Sequence, residues 1–141
     1  MGSSLTFAYD FSGDPDDDFG WLGVAVSTAN FTGRCGFWVQ WQDVREFGDK
    51  LATYPISPDA PLKAAWGYEP WEGDALVVSV EIAPATSRGD LAVKVELRDH
   101  TEPSECLRTS FITNYPDLEA FKLAITNLMD GKADEAELIG R

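Results

Sequence analysis

The chain has 141 residues, 44% hydrophobic and 25% charged, with 24 acidic against 11 basic side chains and a formal net charge of −13. That length buries one core without disulfide or metal staples, so a single domain over residues 1–141 is expected. The charge argues against nucleic acid and anionic membrane as partners, because gripping phosphates needs clustered Lys and Arg.

Leu5, Phe7, Tyr9 and Phe11 alternate with Thr6, Ala8 and Asp10, the period of a half-buried strand. Ser12–Asp18 carries Gly, Pro and four aspartates and reads as a turn. Phe19–Ala29, with Trp21, Leu22, Val24 and Val26, is apolar on both faces over part of its length and is expected to lie centrally. Asn30–Gly33 turns the chain into Cys35–Tyr54, which begins as a strand and ends as a helix. Cys35, Phe37, Val39 and Trp41 alternate with Gly36, Trp38 and Gln40; Val44, Phe47 and Leu51 then fall at i, i+3, i+7. The spacing predicts a helix over Gln42–Thr53. Gly48 within it costs about 1 kcal/mol against Ala, and its place on the apolar side implies a close approach to the sheet. Trp38 has the opposite parity from the core-facing residues.

Pro55, Pro58 and Pro61 end the helical pattern. Leu62–Trp71 reads as a fourth strand and Glu69–Asp74 as an acidic turn. Leu76, Val78, Val80 and Ile82 give a fifth strand. Leu91, Val93, Val95 and Leu97 give a sixth, with Ala92, Lys94, Glu96 and Arg98 on a wet face. Arg88-Gly89-Asp90 supplies the turn between them. Residues 104–113 form a seventh strand through Leu107, Thr109 and Phe111. Asn114-Tyr115-Pro116-Asp117 opens a last helix with the stripe Leu118, Phe121, Ile125 and Leu128, stopped at Gly131. Residues 132–141 are charged and are expected to fray or add a short helical turn.

The resulting order is β-β-β-α-β-β-β-β-α. It predicts an α+β fold: a mostly antiparallel sheet of about six to seven strands with two helices packed on one face. Asp43-Val44-x-x-Phe47-x-x-x-Leu51 matches Asp117-Leu118-x-x-Phe121-x-x-x-Ile125, which fits either a loose internal duplication or the common way of docking a helix on a sheet.

The residues name no catalytic chemistry. In the acidic stretch Gly13–Gly20, Phe19 and Ala25 stand where a calcium loop needs Gly and Glu, so no metal is expected. His100 has no nucleophile in a recognisable context. Cys35 and Cys106 are expected to be reduced, buried thiols, since the N-terminal MGSSLTFAYD lacks the basic and apolar regions of a secretory leader. No run of about 18 apolar residues offers a membrane helix. The expectations are therefore a cytoplasmic chain, no cofactor and no enzymatic activity. Trp66, Tyr68 and Trp71 interleave with Glu69, Glu72 and Asp74. These are either rigid anchors inside a charged rim, or a core pair, Trp66 and Tyr68, with only Trp71 capping an edge.

The run Gly89-Asp90-Leu91-Ala92-Val93-Lys94-Val95-Glu96-Leu97-Arg98-Asp99, the segment Leu107–Phe111, Tyr115 and the Leu118/Phe121/Leu128 helix together resemble the WapI-type small bacterial immunity proteins. The strand-to-helix segment Phe37–Leu51 is similar as well. The resemblance implies a cytoplasmic, non-enzymatic protein that binds and neutralises a cognate toxin domain. It transfers no site residues. Acidic side chains would steer and hold a basic protein partner, with Asp16, Asp17, Asp18, Glu69, Trp71, Glu72 and Asp74 as the contacts. The alternative is a small-ligand module with a pocket between helix and sheet lined by Trp38, Trp41 or Trp66.

Overall fold

A computed structural model describes residues 2–67, 76–99, 101–102 and 104–141. The chain runs β1 (Ser3–Phe11), β2 (Phe19–Ser27), β3 (Thr32–Gln40), α1 (Trp41–Lys50), β4 (Leu62–Gly67), β5 (Leu76–Pro84), β6 (Asp90–Arg98), β7 (Cys106–Asn114), α2 (Tyr115–Met129) and β8 (Glu135–Gly140). The fold is α+β, in the expected order, and all six strand pairings are antiparallel. The strands divide into two four-stranded sheets, ordered β3-β2-β1-β8 and β4-β5-β6-β7.

β8 departs from the expectation that residues 132–141 fray or add a short helical turn. Its Ala136 and Leu138 are buried while Glu135, Glu137 and Ile139 stay exposed. Two apolar positions among charges are too weak a signal by themselves. Pairing supplies the rest: β8 lies against β1, Leu138 opposite Leu5. Beyond its end, Ile112 and Arg141 exchange backbone hydrogen bonds of 3.0 and 2.8 Å, and Thr113 Oγ1 donates to the Ile139 carbonyl at 2.8 Å. These bonds tie the two sheets together along one side.

Inward parities of both sheets and the apolar stripes of both helices make one core. Phe7 of β1 is its hub. Its ring centroid lies 6.1 Å from Phe47 of α1, 5.9 Å from Trp66 of β4 and 5.4 Å from Phe121 of α2. Full burial of such a side chain stabilises by about 1.5–3 kcal/mol. Val44, Phe47 and Leu51 of the first helical pattern are buried, and so are Leu118, Phe121 and Ile125 of the second.

Gly48 makes a close approach, but to α2 rather than to a sheet: a Cβ there would meet Ile125 Cγ2 at 2.8 Å. Near that contact, Arg45 and Asp130 form an ion pair at 2.9 Å. Both are partly exposed, so the pair adds about 0–1 kcal/mol. Asn114 caps α2, its Oδ1 accepting from the Asp117 N–H at 2.8 Å and its Nδ2 donating to Asp117 Oδ2 at 2.9 Å. At the other end the Lys132 and Gly131 N–H groups donate to the Asn127 and Leu128 carbonyls, the crossed pair that closes a helix at glycine. Arg88-Gly89-Asp90 does form the β5–β6 turn, with Thr86 Oγ1 accepting from the Arg88 and Asp90 N–H groups.

Among the described residues no helix is long and apolar enough to cross a membrane. Cys35 is half-buried and Cys106 exposed, and both thiols are free. The expectation that both are buried therefore fails at Cys106, which stands at the first residue of β7, where the sheet meets solvent.

Candidate functional site

In an antiparallel sheet, directly opposed residues project from the same face. The register of the β3-β2-β1-β8 sheet therefore writes out its outer surface row by row. One row is Asp10–Trp21–Trp38. The next is Glu135–Ala8–Gly23–Gly36, and after it Glu137–Thr6–Ala25–Arg34. On the other side of the tryptophan row stand Phe19 and Gln40. The inner parities hold the core, so both helices are spent on the opposite side. This outer face stays open: Phe19 is 42% exposed, Trp21 43% and Trp38 49%.

Trp21 and Trp38 form an edge-to-face pair with centroids 5.7 Å apart and planes at 82°. Geometry of this kind adds about 0.5–1.5 kcal/mol beyond area burial and fixes the rings. Gly36 makes room for it. A Cβ at Gly36 would lie 2.6 Å from Trp21 Nε1, so the indole rests directly on the glycine backbone. Beside the rings the small residues Ala8, Gly23 and Ala25 floor a shallow hollow of about 460 Å³, walled by Trp21, Arg34 and Glu135.

The acidic turn flanks the aromatic end of this face. It is a built loop. The Asp16 N–H donates to Asp14 Oδ1 at 3.0 Å and the Phe19 N–H to Asp17 Oδ1 at 2.8 Å. Gln42 Nε2 donates to Asp18 Oδ2 at 3.0 Å, and the Trp41 N–H to the Asp18 carbonyl at 3.1 Å. The loop is thereby pinned to β2 and to the start of α1. Its negative field reaches the buried phenol of Tyr9, which donates to the Val39 carbonyl at 2.8 Å. Burial, then the charges of Asp17, Asp43 and Asp18, push that phenol up to about 12. Asp43 is itself raised, by burial and then by Glu46. The structure thus gathers carboxylates around one end of the sheet.

Of the residues expected to bind a partner, Asp16, Asp17 and Asp18 are exposed on this loop. Glu69, Trp71, Glu72 and Asp74 lie outside the described residues, as do Tyr68 and His100. Trp66 is a core residue, 6% exposed. The three tryptophans expected to line a pocket between helix and sheet are dispersed. Trp66 packs edge-on to Phe47 in the core. Trp41 begins α1 half-buried, with the Arg45 guanidinium 5.7 Å from its ring, and Trp38 faces the outside. Among the described residues no group of three or more His, Cys, Asp or Glu is placed to hold a metal ion.

Asp10 lies on the polar parity that its strand pattern names, whereas Phe19 and Trp21 carry no sequence signal for the surface. Trp38 carried the available signal, an aromatic on the polar parity of its strand; the partner ring, Trp21, was hidden in a segment whose two faces both looked apolar. No family model matches the chain, and no curated protein matches it.

Proposed function

We propose that this protein is a non-catalytic binding protein whose outer sheet face docks a basic protein partner, in the manner of an immunity protein that occludes a toxin domain. The observation that carries the reading is the exposed, locked Trp21–Trp38 pair beside a carboxylate-rich loop. Interfaces concentrate their binding energy in rigid aromatics surrounded by a polar rim, and Trp is prominent among such anchors. Here the rings are held by Gly36 and by each other, so little conformational freedom is lost on docking. Asp10 in the same row and Asp16, Asp17 and Asp18 on the adjoining loop flank them with negative charge, complementary to a cationic surface. The immunity-like role also draws on the resemblance of Gly89–Asp99 and the two helices to WapI-type proteins.

The test begins with a partner captured from the native host or encoded beside this chain. Its affinity is measured against Trp21→Ala and Trp38→Ala, and against Asp16→Asn/Asp17→Asn/Asp18→Asn together. Each tryptophan variant should weaken binding by at least about tenfold, near 1.4 kcal/mol or more. The aspartate variant should chiefly slow association and flatten its salt dependence. Unchanged affinity in both tryptophan variants would remove this face from the interface.

A further inference from the structure

The free edge of β3 carries an inference that rests on this reading and sharpens it. β3 is the terminal strand of its sheet. The direction of its backbone groups follows from two hydrogen bonds just beyond its ends. The Thr28 N–H donates to the Phe31 carbonyl at 2.8 Å, and the Trp41 N–H to the Asp18 carbonyl at 3.1 Å. Hydrogen-bonded pairs alternate along an antiparallel ladder. Counting inward from either bond through the β2–β3 register makes Gly33, Cys35, Phe37 and Val39 the residues bonded to β2. Thr32, Arg34, Gly36, Trp38 and Gln40 therefore turn their N–H and C=O groups to the open side. Among the described residues no hydrogen bond meets the N–H groups of Arg34, Gly36 and Trp38.

Natural edge strands are usually blunted by shortness, lysine, proline or a bulge. The opposite sheet follows that practice: β4 has six residues, an exposed Lys63 and a register shift at Trp66/Gly67. β3 has nine residues, no proline and an unbroken register. Along it runs a groove of about 590 Å³, whose lining includes Leu97 and Leu107, the cations Arg34 and Arg98 and the acids Asp99 and Glu105. One parity of an added strand would enter this partly apolar groove. The other would lie beside Trp21 and Trp38 on the outer face.

We propose that the partner contributes an extended segment that pairs with β3 as a fifth strand, alternating apolar and cationic residues. Backbone hydrogen bonds to Arg34, Gly36 and Trp38 supply register, as in other strand-addition complexes. Apolar residues of the segment meet Leu97 and Leu107. Its cations meet the exposed Trp38 indole and the aspartates of the loop at that end of the sheet. A second copy of this chain is disfavoured as the occupant, since each copy carries a net charge of −13.

The probe is a capped synthetic peptide of about eight residues alternating valine and lysine. Amide exchange is followed residue by residue by NMR in the full chain. Without peptide, the Arg34, Gly36 and Trp38 amides should exchange fast and those of Cys35, Phe37 and Val39 slowly. Saturating peptide should slow the first set by at least about tenfold, and N-methylation at alternate peptide positions should weaken binding by a similar factor. Equal binding of the methylated peptide overturns strand addition while leaving the aromatic face as the docking surface. Unprotected Arg34, Gly36 and Trp38 amides at the highest soluble peptide concentration also overturn it. A concentration-dependent dimer that protects these amides without peptide overturns the choice of occupant. Failure of the docking reading itself shows elsewhere, in a captured partner indifferent to Trp21→Ala and Trp38→Ala.

Discussion

Gly36→Ala separates the architecture of the aromatic face from the stability of the fold. The added methyl would stand 2.6 Å from Trp21 Nε1 and 2.7 Å from Cε2 and Cζ2, distances that real contacts do not sustain. Relief is available, because Trp21 is 43% exposed and its ring can swing toward solvent. The swing sacrifices the edge-to-face pair with Trp38, about 0.5–1.5 kcal/mol. Replacing a strand glycine returns about 0.5–1 kcal/mol of backbone entropy. The two nearly cancel, so net stability should change by less than about 1 kcal/mol. In urea, with a slope of about 1–3 kcal/mol/M, the midpoint should move by well under 1 M. The near-UV circular dichroism and tryptophan emission should change clearly, and affinity for a captured partner should fall by about tenfold or more. An unaltered near-UV spectrum would show that Trp21 does not rest on Gly36. A destabilisation above about 3 kcal/mol would show that the ring cannot leave, and the open-face description would be wrong.

Further expectations concern the scaffold. Gly48→Ala should destabilise despite the better helix propensity of alanine, by about 1–2 kcal/mol, because Ile125 Cγ2 is a buried branched methyl with nowhere to go. In an Ile125→Ala background the same change should become neutral or stabilising, giving a coupling of about 1–3 kcal/mol in a double-mutant cycle on urea unfolding; additive effects would mean that the helices do not meet there. Burial pushes the Cys35 thiol from 9.0 up to about 12, with Asp99 adding to it, and Tyr9 rises from 10.0 to about 12. The unfolded chain releases these protons first, so stability should be full below pH 9 and fall as the pH climbs toward 12. Tyr9→Phe should flatten part of that slope while losing a hydrogen bond worth about 0.5–1.5 kcal/mol at neutral pH; an unchanged slope in thermal unfolding between pH 9 and 12 would contradict the burial of the phenol.

The amino-acid sequence alone determined the elements and their inner faces. Leu5, Phe7 and Tyr9, or Leu91, Val93, Val95 and Leu97, alternate in strands whose buried side can be named without a fold. The stripes Val44/Phe47/Leu51 and Leu118/Phe121/Ile125 likewise announce two helices and the side each buries. These are local periods of two and 3.6 residues, and local spacing encodes burial directly. Strand partners are a different quantity. That the eight strands among the described residues make two sheets, that β8 returns to β1, and that Gly48 meets Ile125 instead of a strand all depend on contacts distant in sequence, decided by how the whole core closes. The open aromatic face is of the second kind. Asp10, Trp21 and Trp38 are far apart in the chain and share a row only because β2 lies between β1 and β3 in one register. Trp21 could not be assigned to the surface from its neighbours, because an apolar residue on the second face of a strand is buried or exposed according to what covers that face. The tertiary structure places both helices on the other side, and that leaves the two indoles and the acidic loop exposed, with β3 the terminal strand of its sheet.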